Sequence, residues 1–135
     1  MSNEYTTQTV HEGQSRCATY HKRSGETWHT DIPVALGGLG LYATPGSLLA
    51  SAAASCMMSM VSFFAYRKNV DTVGMKVEAR AEEEDGKIRA LHFRITMPLE
   101  GTHPLRKTLE DVSANCPVRK ALNPEIDIDV EWIWL

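Results

Sequence analysis

The sequence predicts an α+β fold in which a mainly antiparallel sheet wraps a long, buried central helix. Three patterns in the 135-residue chain support this prediction. Residues 46–66 have helical length and no charge, several stretches alternate apolar and polar side chains, and turn sequences separate neighbouring strands. The length and the 43% apolar content fit a single domain over residues 1–135 with one modest core.

The N-terminal third of the chain predicts strands followed by a loop. A turn sequence at residues 23–26 divides strand-forming residues, so residues 14–35 predict a hairpin. The glycine-rich residues 36–40 predict a flexible loop. Thr44 and Pro45 then mark the start of a helix, because threonine is a good N-cap and proline suits the first helical position.

The central helix is predicted from Pro45 to Lys68 and lacks a polar face. Its 21 uncharged residues could span a membrane, but five of them are serine and many are alanine, so we expect a buried helix of a soluble protein and no membrane partner. One chain of 135 residues has too few elements to cover every side of such a helix. A homodimer that buries two of these helices together is therefore predicted.

The chain after the central helix is predicted to form two strands, two short helices and a last strand. Alternating apolar residues on either side of Asp85-Gly86 predict a hairpin, since this dipeptide favours tight turns. Thr102 is a suitable N-cap for the first short helix, and the second is predicted after Cys116-Pro117. Apolar residues alternate from 126 to 134 and predict the final strand.

Composition and motifs exclude several classes of function. The net charge of −3 and the lack of a basic run argue against nucleic-acid binding. The cysteines and histidines have no metal-ligand spacing, and no dinucleotide or phosphate-binding loop is present, so neither a metal nor another cofactor is expected. The polar N-terminus carries no secretory signal, which predicts a cytoplasmic protein.

Three cysteines are the candidate reactive groups. Cys116 begins a helix, where free backbone N–H groups and the helix dipole are expected to lower its pKa. Cys56 lies within the central helix among small side chains that leave room for a reactant, and it needs a cation from elsewhere, for which Arg16 is a candidate. Cys17 is expected to be inert. The alternative for each is a small core residue without chemistry.

Two motifs together resemble the OsmC/Ohr family. They are TPGSLLASAAASCMMSM at residues 44–60 and NCPVRKAL at residues 115–122, and an LGG segment precedes them at residues 36–38. The spacing of 60 positions from Cys56 to Cys116, the intervening hairpin and the final strand also match, so the resemblance covers nearly the whole chain. It implies an OsmC-like intertwined homodimer with sites at the subunit interface, and thiol-dependent reduction of peroxides, often organic hydroperoxides.

The resemblance also implies residue roles. Cys56 attacks the peroxide as a thiolate and becomes a sulfenic acid, and Cys116 resolves it as a disulfide. An arginine from the N-terminal strands activates the first cysteine, which by position is Arg16, with Arg23 as the alternative. An external dithiol, of the lipoyl type in this family, reduces the disulfide without metal or flavin.

One position departs from the family pattern. The peroxidases of the family carry a glutamate early in the central helix that holds the arginine, but Gly46 and Ser47 stand there in this sequence. No Asp or Glu lies between Asp31 and Asp71, so Arg16 must be held by Asp31, by a carboxylate of a ligand, or not at all. Two other functions therefore stay open: binding of a small acidic or lipid-like ligand, and thiol redox sensing without efficient turnover.

Overall fold

A computed structural model describes residues 3–135, which divide into two compact units. The first unit comprises the residues up to Leu48, and the second comprises Leu49–Leu135. Each contains one three-stranded sheet. Together with the long helix they confirm the predicted α+β class.

The first unit is an antiparallel sheet of three strands in the order β1-β2-β3. The strands are β1 (Thr7–Gly13), β2 (Arg16–His21) and β3 (Thr27–Thr30). The predicted hairpin is the β2–β3 pair, and β1 is an additional strand that the sequence analysis missed. All residues of β1 before Gly13 are exposed, so this edge strand has no apolar alternation that could reveal it.

The loop after β3 is organised around one carboxylate. The Asp31 side chain is 0% exposed and accepts hydrogen bonds from the backbone N–H groups of Ile32 at 2.7 Å and Leu41 at 3.1 Å. Its own N–H donates to the Ala43 carbonyl at 3.0 Å. Gly38 is required where the loop closes, because a Cβ there would collide with the carbonyl oxygen of Ile32.

This geometry predicts an acid-sensitive contribution of Asp31 to stability. The Leu41 N–H bond, helped by Ile32, lowers the pKa of the Asp31 carboxyl although burial opposes the shift. Because the folded pKa lies below the unfolded value, the stabilisation is present above the unfolded pKa and is lost as pH falls through the folded one. Asp31→Asn should therefore lower the free energy of unfolding most at neutral pH, with a difference from wild type that narrows in acid.

Urea unfolding of wild type and Asp31→Asn between about pH 2 and pH 7 measures this difference. Asp71→Asn is the matched control, since Asp71 also accepts a backbone N–H bond, from Val73 at 2.9 Å, but on an exposed residue. A destabilisation of Asp31→Asn that stays constant over the whole pH range would contradict the prediction.

Helix α1 (Pro45–Arg67) matches the predicted central helix to within one residue. The Thr44 hydroxyl accepts the backbone N–H of Ser47 at 3.1 Å, as expected of an N-cap. The helix is long and apolar enough to cross a membrane, but core helices of soluble proteins meet the same criterion. The uncharged face of α1 that includes Ser55, Ser59 and Phe63 is exposed.

The second unit places a mixed sheet of order β4-β5-β6 beside the body of α1. Its elements are β4 (Lys76–Glu84), β5 (Lys87–Met97), α2 (Arg106–Ala114), α3 (Pro117–Ala121) and β6 (Asp127–Trp134). β4 and β5 form the predicted antiparallel hairpin, whereas β6 runs parallel to β5. Helices α2 and α3 supply the crossover that a parallel pair requires.

The start of α2 corrects one prediction. The helix begins at Arg106, and Thr102 does not cap it. The His103 ring accepts the backbone N–H of Leu105 at 3.1 Å, so residues before Arg106 form a turn held by the imidazole.

The core of the second unit lies between α1 and β5. One cluster includes Ala53 and Met57 of α1, Leu91 and Phe93 of β5, and Cys116. A second cluster continues along the helix toward its C-terminal end. The first of these clusters holds both cysteines of the predicted site.

Candidate thiol site

Cys56 and Cys116 meet at the core of the second unit, although they are 60 positions apart in sequence. Cys56 lies about three turns into α1, and Cys116 is the N-cap residue of α3. Cys56 packs against the buried cluster that contains Cys116, and both thiols are free. Cys56 is half-buried, whereas Cys116 is 0% exposed, so Cys56 is the more accessible residue of the two.

The ionisation of Cys116 corrects the expectation drawn from its helix position. Burial, followed by the neighbouring Cys56, raises the pKa of the Cys116 thiol. The backbone N–H of Arg119 donates to Cys116 Sγ at 3.4 Å, and this bond and the charge of the Arg119 guanidinium both lower the pKa. The effect of burial is larger than both. Cys116 is therefore a neutral thiol at physiological pH, because desolvation of the thiolate exceeds the stabilisation offered by the helix start.

Arg119 is the cation beside this pair. Its side chain is half-buried, and Nη1 lies 3.9 Å from Sδ of Met57, which is itself 0% exposed. Within residues 3–135, no carboxylate forms an ion pair with Arg119. The guanidinium thus lies against the Met57 sulfur without a carboxylate partner, and its charge acts on Cys116.

Arg16 belongs to the first unit, where its carboxylate partner is a residue that the sequence analysis did not consider. Arg16 Nε lies 3.7 Å from Glu12 Oε1, and the same oxygen lies 3.6 Å from His29 Nε2. The His29 ring stacks on Tyr42 with a centroid distance of 4.8 Å. Asp31 interacts with Arg16 only through its charge, because the Asp31 carboxylate oxygens accept hydrogen bonds from backbone N–H groups.

A local signal for the Glu12–Arg16 pair exists in the sequence. Gly13, Gln14 and Ser15 all have positive φ, which turns the chain sharply and returns Arg16 toward Glu12. A short turn between two charged residues of opposite sign could have suggested this ion pair once β1 was recognised.

The two remaining candidate residues are Arg23 and Cys17. Arg23 is exposed in the turn between β2 and β3, and Cys17 is half-buried on β2, where strand alternation places it on the face opposite Arg16. Over the described residues 3–135, no three His, Cys, Asp or Glu side chains are grouped so that they could hold a metal.

Comparisons with known proteins agree with this fold. The family model for OsmC-like proteins matches residues 38–131. A structure from Psychrobacter arcticus 273-4, described as an osmotic stress induced and detoxification response protein, is 26% identical with a TM-score of 0.87 over 98% of both chains. No match was found among curated proteins.

Organic hydroperoxide resistance proteins share the fold at lower identity. One from Legionella pneumophila is 17% identical, with a TM-score of 0.72 over 98% of this chain and 99% of its own. Another from Elizabethkingia anophelis is 18% identical, with a TM-score of 0.73 over 100% of both chains. The α+β chain with a long helix beside a sheet is thus an OsmC/Ohr fold. The family model matches well over half of the chain, which therefore belongs to the OsmC-like protein family.

Proposed function

We propose that this chain is a cytoplasmic thiol peroxidase that reduces organic or hydrogen peroxides with Cys56 and Cys116. The packing of a half-buried Cys56 against the cluster that holds a buried, neutral Cys116 is the observation that supports the proposal. A thiolate is the nucleophile and a neutral thiol is not, so the accessible sulfur is suited to attack and the buried one to a later step. The resemblance to the OsmC/Ohr family implies the same division of roles.

The proposed oxidation has two steps. The Cys56 thiolate attacks an oxygen of the peroxide, the O–O bond breaks, and the alcohol leaves after taking a proton, so that Cys56 becomes a sulfenic acid. Cys116 loses its proton to the departing hydroxide as its sulfur attacks that of Cys56, so it acts as a thiolate only during this step. The products are water and a Cys56–Cys116 disulfide, which an external dithiol reduces, becoming a disulfide itself.

Arg16 is proposed as the cation that favours the Cys56 thiolate. A guanidinium near a thiolate stabilises the anion and the charge that develops on the departing oxygen. Glu12 supplies the carboxylate that the family places in the helix, so the absence of a glutamate at Gly46 does not leave Arg16 without a partner. Neither a metal nor another cofactor takes part in the proposed cycle.

A homodimer is proposed as the working form. The face of α1 that includes Ala52, Ser55, Ser59, Phe63 and Tyr66 is exposed and carries no charge. An uncharged, exposed face of this length on an apolar helix is suited to packing against a second copy.

Peptide mapping after a single exposure to peroxide tests the function. Reduced protein is mixed with one equivalent of cumene hydroperoxide, quenched with an alkylating agent and digested. A Cys56–Cys116 disulfide formed within seconds is expected, with Cys17 alkylated as an internal control. The corresponding alcohol replaces the peroxide in a matched control, which should leave all three thiols alkylated.

The other possible results separate the competing functions. Recovery of both thiols unchanged would overturn the peroxidase proposal and leave binding of an acidic or lipid-like ligand, to be sought by native mass spectrometry. A disulfide that dihydrolipoamide does not reduce would instead indicate a redox sensor that switches without turnover.

A further inference from the structure

Arg119 lies beside Cys116, but it has no role in the proposed oxidation. Its backbone N–H donates to Cys116 Sγ at 3.4 Å, and its guanidinium reaches the buried Met57 sulfur at 3.9 Å. Among the described residues it has no acidic partner, so its charge is available to an anion that forms nearby. In the resting pair no such anion exists at Cys116, because burial keeps that thiol neutral.

An anion does arise at this position when the disulfide is reduced. Thiol–disulfide exchange proceeds by attack on one sulfur and departure of the other as a thiolate. Cys116 is 0% exposed and Cys56 is half-buried, so Cys56 is the more accessible side of the disulfide for an external thiolate. Cys116 is then the leaving group, and its thiolate is released into a buried site where an unpaired charge is costly.

We propose that Arg119 stabilises the departing Cys116 thiolate and thereby directs an external dithiol to attack Cys56. The inference rests on the Cys56–Cys116 disulfide of the proposed function. The first sulfur of the dithiol bonds to Cys56 as the Cys56–Cys116 bond breaks, and the electron pair goes to Cys116, which later takes a proton from water. The second sulfur of the dithiol displaces Cys56, so both cysteines are reduced and the dithiol is oxidised.

The first test is the site of the mixed disulfide. The protein is oxidised with diamide rather than peroxide, so the result does not depend on peroxidase activity. It is then treated briefly with 2-mercaptoethanol, quenched with N-ethylmaleimide and mapped. The 2-mercaptoethanol adduct is expected on Cys56 with N-ethylmaleimide on Cys116, and the reverse distribution would overturn the proposal.

The second test removes the guanidinium while keeping the backbone N–H bond. In Arg119→Met, reduction of the diamide-formed disulfide by dithiothreitol should slow about tenfold, as expected from loss of one charge near a poorly solvated thiolate. Arg119→Lys keeps the charge and should recover most of the rate. Lys120→Met is the matched control, because the neighbouring Lys120 is exposed and should leave the rate unchanged.

The outcomes distinguish this inference from the proposed function. Equal reduction rates in wild type and Arg119→Met, or a slow Arg119→Lys, would overturn a role for the charge while leaving the peroxidase proposal intact. If diamide forms no Cys56–Cys116 disulfide, both fail. If diamide forms it and cumene hydroperoxide does not, only the peroxidase proposal fails and the Arg119 measurements still apply.

Discussion

Replacing Cys56 with serine is expected to reduce peroxide consumption to the uncatalysed rate. A serine hydroxyl is not ionised at neutral pH and cannot replace the thiolate as the attacking group. Cys116→Ser should consume about one equivalent of cumene hydroperoxide per subunit and then stop, because the sulfenic acid at Cys56 has no resolving thiol. Consumption of cumene hydroperoxide with excess dihydrolipoamide measures both variants.

Cys17→Ser is the matched control for these variants. Cys17 is also partly buried, but it lies on β2 in the first unit, and the proposed cycle gives it no role. Its replacement should leave turnover at the wild-type rate. Full turnover in Cys56→Ser would reverse our assignment of the attacking cysteine, and loss of turnover in Cys17→Ser would show that the cysteine pair is wrongly chosen.

Arg16→Met is expected to produce the second largest effect, a loss of about 100-fold in the rate of disulfide formation with one equivalent of peroxide. Removing a single group that stabilises charge in a transition state typically costs this much. Arg23→Met is the matched comparison, because Arg23 has the same charge and lies in an exposed turn of the same sheet. Quenched-flow measurement of the Cys56–Cys116 disulfide gives the rate for each variant.

Replacing Glu12 tests whether its carboxylate positions the Arg16 side chain. Glu12→Gln removes the carboxylate that lies 3.7 Å from Arg16 Nε and should give an intermediate loss of rate, about tenfold. A large loss in Arg23→Met with a normal rate in Arg16→Met would identify Arg23 as the activating cation. Normal rates in both Arg16→Met and Arg23→Met would show that neither arginine takes part in the proposed chemistry.

Elements with a strong local signal could be predicted from the sequence. Thr44 and Pro45 determined where α1 begins, and its predicted end differs by one residue from the observed end at Arg67. The Asp85-Gly86 turn and the alternation of β6 were also confirmed, because side chains within a few residues decide them. The two cysteine motifs indicated the family in the same way.

Other features depended on residues far apart in the chain. The polar edge strand β1 forms by backbone pairing with β2. The residues of β1 alone do not indicate that pairing. Nor does the alternation of β6 specify its parallel pairing with β5, which the crossover through α2 and α3 produces.

The candidate site shows most clearly what tertiary structure adds. The sequence by itself identified Cys56, Cys116 and Arg16 as candidates, and its local rules favoured an acidic Cys116. Only the fold decided that Cys116 is buried against Cys56 in a cluster with Met57 and Phe93, which raises its pKa instead. Desolvation depends on every neighbour in space, whereas a helix start depends on the few residues that follow, so the larger effect was absent from the local pattern.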